Sequence, residues 1–236
     1  MKIFNEVLNK IDRGRSGLNT GLPMGFDRLV EYIPNINQGT YYLIGGETSS
    51  GKSAFVDNCF VYNPYDFIKS RETSLKLNIV YFSFEIEKTI KITKAIARKA
   101  YLDYGRLLDV NYILSRGKNR INAEDYTIVT SYRDYFYEME DHLHIIDKTE
   151  NPTGIWHTML DYSLRVGKWN NLDKLDTFIP NDPNLYTIII IDHLGLIKNE
   201  RGYEKKQNID KLSEYLILLL FAFSKNISYL CVNLHR

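Results

Sequence analysis

One run of eight residues constrains this chain more than any other. Gly46, Glu47, Thr48, Ser49, Ser50, Gly51, Lys52 and Ser53 follow directly on a short apolar run, residues 41–44. They lead directly into a stretch that reads as helix from about Lys52, with Ala54, Phe55 and Cys59 for its buried side. The spacing is G-x-x-x-x-G-K-[ST]. Glycines at that interval let the backbone fold tightly, so that its N–H groups converge, and the following helix adds its positive end. Such a loop cradles phosphate oxygens. Lys52 is then placed to reach β- and γ-phosphates, and the Ser53 hydroxyl to join the oxygen shell of a Mg²⁺ ion. A solvated Gly/Ser turn would share the same letters. The apolar strand before it and the helix after it favour the cradle.

The rest of the chain reads as the α/β frame such a loop needs. Residues 79–84 (IVYFSF) form a second apolar strand, followed by a helix over about 88–101. Asn63-Pro64-Tyr65-Asp66 is expected to end the first helix. Residues 103–140 look helical and polar, with a basic turn at 116–120, and 144–146 and 153–166 read as a short strand and a helix. Residues 170–184, rich in Asp, Asn and Pro, read as a surface loop. Residues 186–191 are the strongest strand, with four isoleucines closed by Asp192; a helix over about 209–224 and a last strand at 228–234 follow. Continuous apolar strands alternating with helices are the pattern of a mostly parallel sheet with helices on both faces. At the N-terminus, Ile3, Phe4, Val7, Leu8 and Ile11 share one helical face ahead of a Gly- and Ser-rich link. This segment is either a cap on the core or a helix that docks on a partner.

Two carboxylates stand where strands end. Asp192 closes the isoleucine strand and Glu85 follows the second, so both arrive at the edge where open α/β sheets bind ligands. A triphosphatase needs one carboxylate near its metal and one to polarise the attacking water. The plainer readings are an Asp capping a loop and a solvated Glu opening a helix. The five histidines show no metal-ligand spacing and read as structural or solvated.

Composition excludes more than it assigns. Thirty basic against twenty-nine acidic residues leave a formal charge of +1, so any nucleic-acid contact has to come from a local patch. No apolar run approaches the roughly 20 residues of a membrane span, and the first ten residues lack the pattern of a signal peptide. Cys59 and Cys231, the two cysteines, both lie in apolar surroundings, which points away from a disulfide framework and toward a reducing cytoplasm.

Taken in order, these segments resemble the DnaB-type replicative helicases, which share a RecA-like P-loop ATPase core. Residues 20–26 (TGLPMGF) look like the family's T-G-x-x-T-G-[FY] entry, and the phosphate loop follows. SFEI at 83–86 is similar to its S-L-E-M. HIID at 144–147, followed by Thr153, looks like a further strand and helix of the family. IIIIDHLGLI at 188–197 resembles the I-D-Y-L-Q-L-[IM] signature, and VNLHR at 232–236 the S-Q-L-[NS]-R sensor strand.

The resemblance implies an ATP-hydrolysing motor that translocates on single-stranded DNA as part of a hexameric ring of identical subunits. Primase or a helicase loader would be a partner, and the setting a bacterial cytoplasm, including that of a phage-infected host. Residues 46–53 and Mg²⁺ would hold ATP, with Lys52 on phosphate, Ser53 and Asp192 at the metal, and Glu85 as catalytic base. Asn233 stands at the γ-phosphate sensor, where the family usually has a longer glutamine. His193 and Gly195 also depart from the family's Tyr and Gln, and residues 65–75 lengthen the connection after the first helix. Arg201, Lys205 and Lys206, in the polar loop 198–207, fall where these helicases line the central channel. A solvated charged loop is the alternative there, and also for the turn at 116–120. Residues 1–18 match the family's linker helix and its connection, and 19–236 its ATPase domain. The family's arginine finger is supplied by a neighbour from beyond the sensor strand, and the sequence stops at Arg236, so the expectation is a domain cut short, without the N-terminal collar. The competing readings are a RecA-like recombinase or regulatory ATPase, and a nucleotide-binding interaction module with little hydrolysis.

Overall fold

A computed structural model describes residues 3–16, 21–33, 35–47, 49–70, 73–172, 176–223 and 230–235. Its centre is a five-stranded parallel sheet. The strands are β1 (Tyr41–Gly46), β2 (Lys76–Ser83), β3 (Leu143–Ile146), β6 (Leu185–Asp192) and β7 (Leu230–His235), in the spatial order β1-β7-β6-β2-β3. A separate antiparallel pair, β4 (Gly167–Asn171) with β5 (Asp176–Pro180), completes the strands.

The two central strands show why their sequences are apolar without a break. Leu77, Ile79 and Tyr81 of β2, with Tyr186, Ile188 and Ile190 of β6, pack on one face. Val80, Phe82 and Ile191 turn to the other. Alternate side chains of a strand point to opposite faces, and here both faces are covered. The first face packs on α3 (Lys52–Asp57), α5 (Lys88–Tyr104) and α8 (Arg133–Glu140). The second packs on α9 (Pro152–Val166) and α10 (Lys205–Phe223). Leu212, Leu216 and Leu219 form the buried stripe of α10 at i, i+4 and i+7. Asn151 caps α9, accepting from the Gly154 amide at 2.8 Å, with Pro152 at the first helical position.

Four expectations need correction. The helix from Lys52 does not end at Asn63-Pro64. It passes through a π-helical turn, Asn58–Tyr62, into α4 (Asn63–Lys69). The wider turn gives the proline ring room that a continuous α-helix would deny it. Burial of Tyr62 and Tyr65 and the Asn63 amide donating to the Met24 carbonyl at 2.8 Å hold the continuation in place. Residues 170–184 are not simply a loop, because they carry part of the β4–β5 pair. There the Trp169 and Phe178 rings meet edge to face at 5.3 Å, and the Trp169 indole donates to Ser163. Residues 103–140 hold three separate helices, α6 (Val110–Ile113), α7 (Ala123–Ser131) and α8. The helix expected from residue 209 begins a turn earlier, at Lys205.

The helix α1 (Ile3–Arg15) keeps its apolar face exposed, with Ile3 and Phe4 at 80% and 68%. Within the described residues it is therefore no cap on the core. The short α2 (Asp27–Val30) and a single bridge between Leu22 and Ile36 lead into β1. No helix among the described residues is long and apolar enough to cross a membrane.

Ile190 is fully buried at the centre of the sheet. Its truncation to Ala is expected to cost about 2–5 kcal/mol of stability. Urea unfolding of Ile190→Ala beside the parent chain measures this.

Candidate functional site at the C-terminal edge of the sheet

All five strands run the same way, so their C-terminal ends share one edge. The register places Ile44 beside Asn233 and Gly46 beside His235; Ile191 pairs with Val232, and Asp192 with Ser83. The loop at residues 46–53, Asp192 and the segment bearing Glu85 thus leave the sheet together, with β7 between β1 and β6.

The loop itself is exposed from Gly45 to Ser50 among its described residues, and Thr48 lies outside them. Ser49 and Gly51 both adopt left-handed backbone, with φ of 62° and 86°. Gly51, as the N-cap of α3, takes that conformation at no steric cost. A Cβ on Gly46 would sit 2.9 Å from Ser50 Oγ, a contact the serine side chain could relieve by rotating. Lys52 is buried, and its ammonium donates to the Gly46 carbonyl at 2.8 Å and to the Glu47 carbonyl. Ser53 follows in the first turn of α3, half-buried.

Asp192 is 1% exposed and accepts a hydrogen bond from the Tyr81 hydroxyl at 3.2 Å. Lys91, from the first turns of α5, brings its Nζ within 3.7 Å of the same Asp192 oxygen. That ammonium also donates to both oxygens of Asp57, at 2.9 and 3.2 Å, and to the Tyr81 hydroxyl. Asp57 is the last residue of α3, which Lys52 opens, just before the π-helical turn. Sequence reasoning missed these three partners. The available signal was a charge on the apolar side of each flanking helix. Glu85 is exposed, and its carboxylate lies 3.9 Å from His193 Nε2. From its spacing in the sequence, His193 reads as structural or solvated. The structure puts it instead beside the second strand-end carboxylate, with its Nδ1 accepting from the Gly195 amide at 3.0 Å. The backbone of Asn233 pairs with Ile44; its side chain, like that of Cys231, and all of Arg236 lie outside the description.

The loop after β6 is anchored rather than loose. Glu200 accepts from the Thr153 amide at 2.9 Å, from the Thr153 hydroxyl at 2.6 Å and from Lys211. The buried Asn208 accepts from the Glu200 amide and donates to the Tyr203 and Glu204 carbonyls. Arg201 and Lys206 are exposed. Lys205 instead donates to the Ile197 carbonyl at 2.7 Å, and its burial lowers its pKa. In the turn at 116–120, Arg120 folds back to donate to the Ser115, Gly117 and Asn119 carbonyls, while Arg116 and Lys118 are exposed. Cys59 is fully buried, and burial pushes its thiol up to about 12.

The chain is similar to a DnaB-like replicative helicase whose structure was described together with its interactions with primase. The TM-score is 0.65 over 99% of this chain and 48% of that one, at 16% sequence identity. The fold is RecA-like. No protein-family model and no curated protein matches the sequence. The chain spans about half the length of that helicase chain, and at this identity the likeness is one of fold.

Burial pushes the Glu200 carboxyl up, but its bonds with Lys211 and Thr153 outweigh this and leave it below its ordinary value. A depressed carboxylate stabilises the fold above its unfolded pKa, about 4.3, and that contribution is lost as pH falls through the lower folded value. Hydrogen exchange at the Thr153 amide should therefore accelerate, relative to its intrinsic rate, below about pH 4. Glu200→Ala should give that faster exchange already at neutral pH.

Proposed function

We propose that this chain is the nucleotide-hydrolysing motor domain of a DnaB-like helicase. One observation carries the reading. A parallel sheet delivers a phosphate loop, a buried carboxylate and a second carboxylate to one edge, on strands in the order β1-β7-β6-β2. In this reading the loop amides of residues 46–51 and the positive end of α3 bind the phosphates of ATP. Lys52 exchanges the Gly46 and Glu47 carbonyls for β- and γ-phosphate oxygens.

The donors fit Mg²⁺. Ser53 offers a hydroxyl and Asp192 a carboxylate, the oxygen donors Mg²⁺ takes, and water and phosphate would complete its shell. Among the described residues no group of three or more His, Cys, Asp or Glu could hold a metal of its own. Held there, Mg²⁺ would supply Lewis-acid stabilisation of the charge that builds on the phosphate oxygens during hydrolysis. Glu85 accepts the proton of a water whose oxygen bonds to the γ-phosphorus as the bond to the β-phosphate oxygen breaks, releasing ADP and phosphate. His193, 3.9 Å away, orients the Glu85 carboxylate. Asn233, whose backbone lies on β7 between β1 and β6, is the proposed γ-phosphate sensor.

Single-stranded DNA is the proposed track. Arg201 and Lys206 on the loop after β6 contact its phosphates, and Lys205 joins them on leaving the Ile197 carbonyl. The exposed apolar face of α1 is the proposed linker that docks on the next subunit of a homo-oligomeric ring, for which a hexamer is the expected size. Residues 19–236 then form the motor domain. Primase or a loader is a partner of the assembled ring.

Nucleotide binding and single-turnover hydrolysis, with and without single-stranded DNA, test the reading. Lys52→Ala should lower turnover by at least about 100-fold. Glu85→Gln should bind ATP but hydrolyse it at least about 100-fold more slowly. Full turnover by Glu85→Gln removes that residue from the mechanism. Binding without hydrolysis in the parent chain, with or without DNA, supports a nucleotide-binding interaction module instead.

A further inference from the structure

We infer that Tyr81 is a positioning residue for the Asp192 carboxylate, with its hydroxyl proton directed there by the buried Lys91–Asp57 pair. The inference rests on the proposed role of Asp192 at the metal. A phenol can donate its proton in more than one direction and can also accept. Lys91, by contrast, is a donor only. With the Lys91 ammonium donating to the Tyr81 oxygen, the phenolic proton has to point elsewhere, and the Asp192 carboxylate lies 3.2 Å away. The chain of donation therefore runs from Lys91 through Tyr81 to Asp192. Asp57 holds Lys91 from the other side with both its oxygens.

The surroundings strengthen this arrangement. Tyr81 and Asp192 are each 1% exposed and Lys91 is 4% exposed. A small cavity beside them is walled by Val61, Ile92, Ala95 and Met139. In so apolar a setting each polar bond is electrostatically stronger than in water, and successive bonds polarise one another. The Lys91 ammonium also lies 3.9 Å from the centre of the Tyr81 ring, which fixes the ring as well as the hydroxyl. One Asp192 oxygen is thus committed to Tyr81, which sets how the carboxylate meets an ion at the edge of the sheet. The same network joins Asp192 to Asp57, the last residue of α3, which Lys52 opens. The metal side and the phosphate side of the site share a buried brace.

The test is nucleotide affinity of the full chain, measured with ATP in EDTA and across a Mg²⁺ titration. Tyr81→Phe deletes the hydroxyl and leaves the Lys91–Asp57 pair in place. It should raise the Mg²⁺ concentration needed for half-maximal effect by about tenfold, with affinity in EDTA unchanged, as expected when a residue behind a metal ligand is lost. Lys91→Arg, which keeps a donor-only cation, should retain the parent Mg²⁺ dependence. A paired variant, Asp57→Asn with Lys91→Met, removes both charges together, and it should shift the Mg²⁺ dependence in the same direction; it serves if Tyr81→Phe does not fold. An unchanged Mg²⁺ midpoint in Tyr81→Phe, or an equal loss of affinity in EDTA, overturns the inference. Absence of ATP binding by the parent chain would instead overturn the proposed function.

Discussion

The parallel pairing of β2 with β6 is the constraint on which the rest of the structure depends. Eight residue pairs, from Lys76 with Leu185 to Ser83 with Asp192, fix these strands at a single register. Both strands are covered on both faces. A slip by one residue would turn Ile188 and Ile190 to the wrong side and carry Asp192 away from Tyr81. Register is thus set by apolar packing, and the polar residues at the strand ends inherit their positions from it. Each fully buried isoleucine contributes about 1.5–3 kcal/mol by leaving water. That is the scale of stabilisation available to hold charges where water would otherwise draw them.

Those charges are costly. Asp57, Lys91 and Asp192 are buried together, two carboxylates to one ammonium. A buried ion pair contributes little net stability against an apolar replacement, although removing one partner is strongly destabilising. Stability alone therefore gives a weak reason for this cluster, and its place beneath the strand edge gives a stronger one. The Glu200 anchor differs. It fastens the loop after β6 to the start of α9 and to α10, leaving Arg201 and Lys206 outward on a fixed base.

Much of this was legible in the sequence, for identifiable reasons. The isoleucine strand ending at Asp192 and the loop from Gly46 to Ser53 carry local signals, namely continuous apolarity and a glycine spacing tied to backbone geometry. The parallel sheet and its helices followed from them. What stayed hidden depended on tertiary contact. Pro64 reads as a breaker because proline usually is one, and only the π-helical turn before it and the burial of Tyr65 reveal the continuation. The β4–β5 pair is masked by Lys168, Asn170 and their polar neighbours, and is revealed by Trp169 against Phe178. Lys91 lies on a helix otherwise rich in surface lysines. Only its place on the apolar side of that helix sets it apart from Lys88 or Lys94, and its partner Asp57 is 34 residues away.

On the proposed function, the backbone amides of residues 46–53 grip a nucleotide's phosphates. Hydrogen exchange of those amides, with and without ATP and Mg²⁺, tests it most directly. Protection concentrated at Gly46–Ser53, absent in Lys52→Ala, is the predicted result. Nucleotide binding that leaves exchange in this loop unchanged would contradict the account.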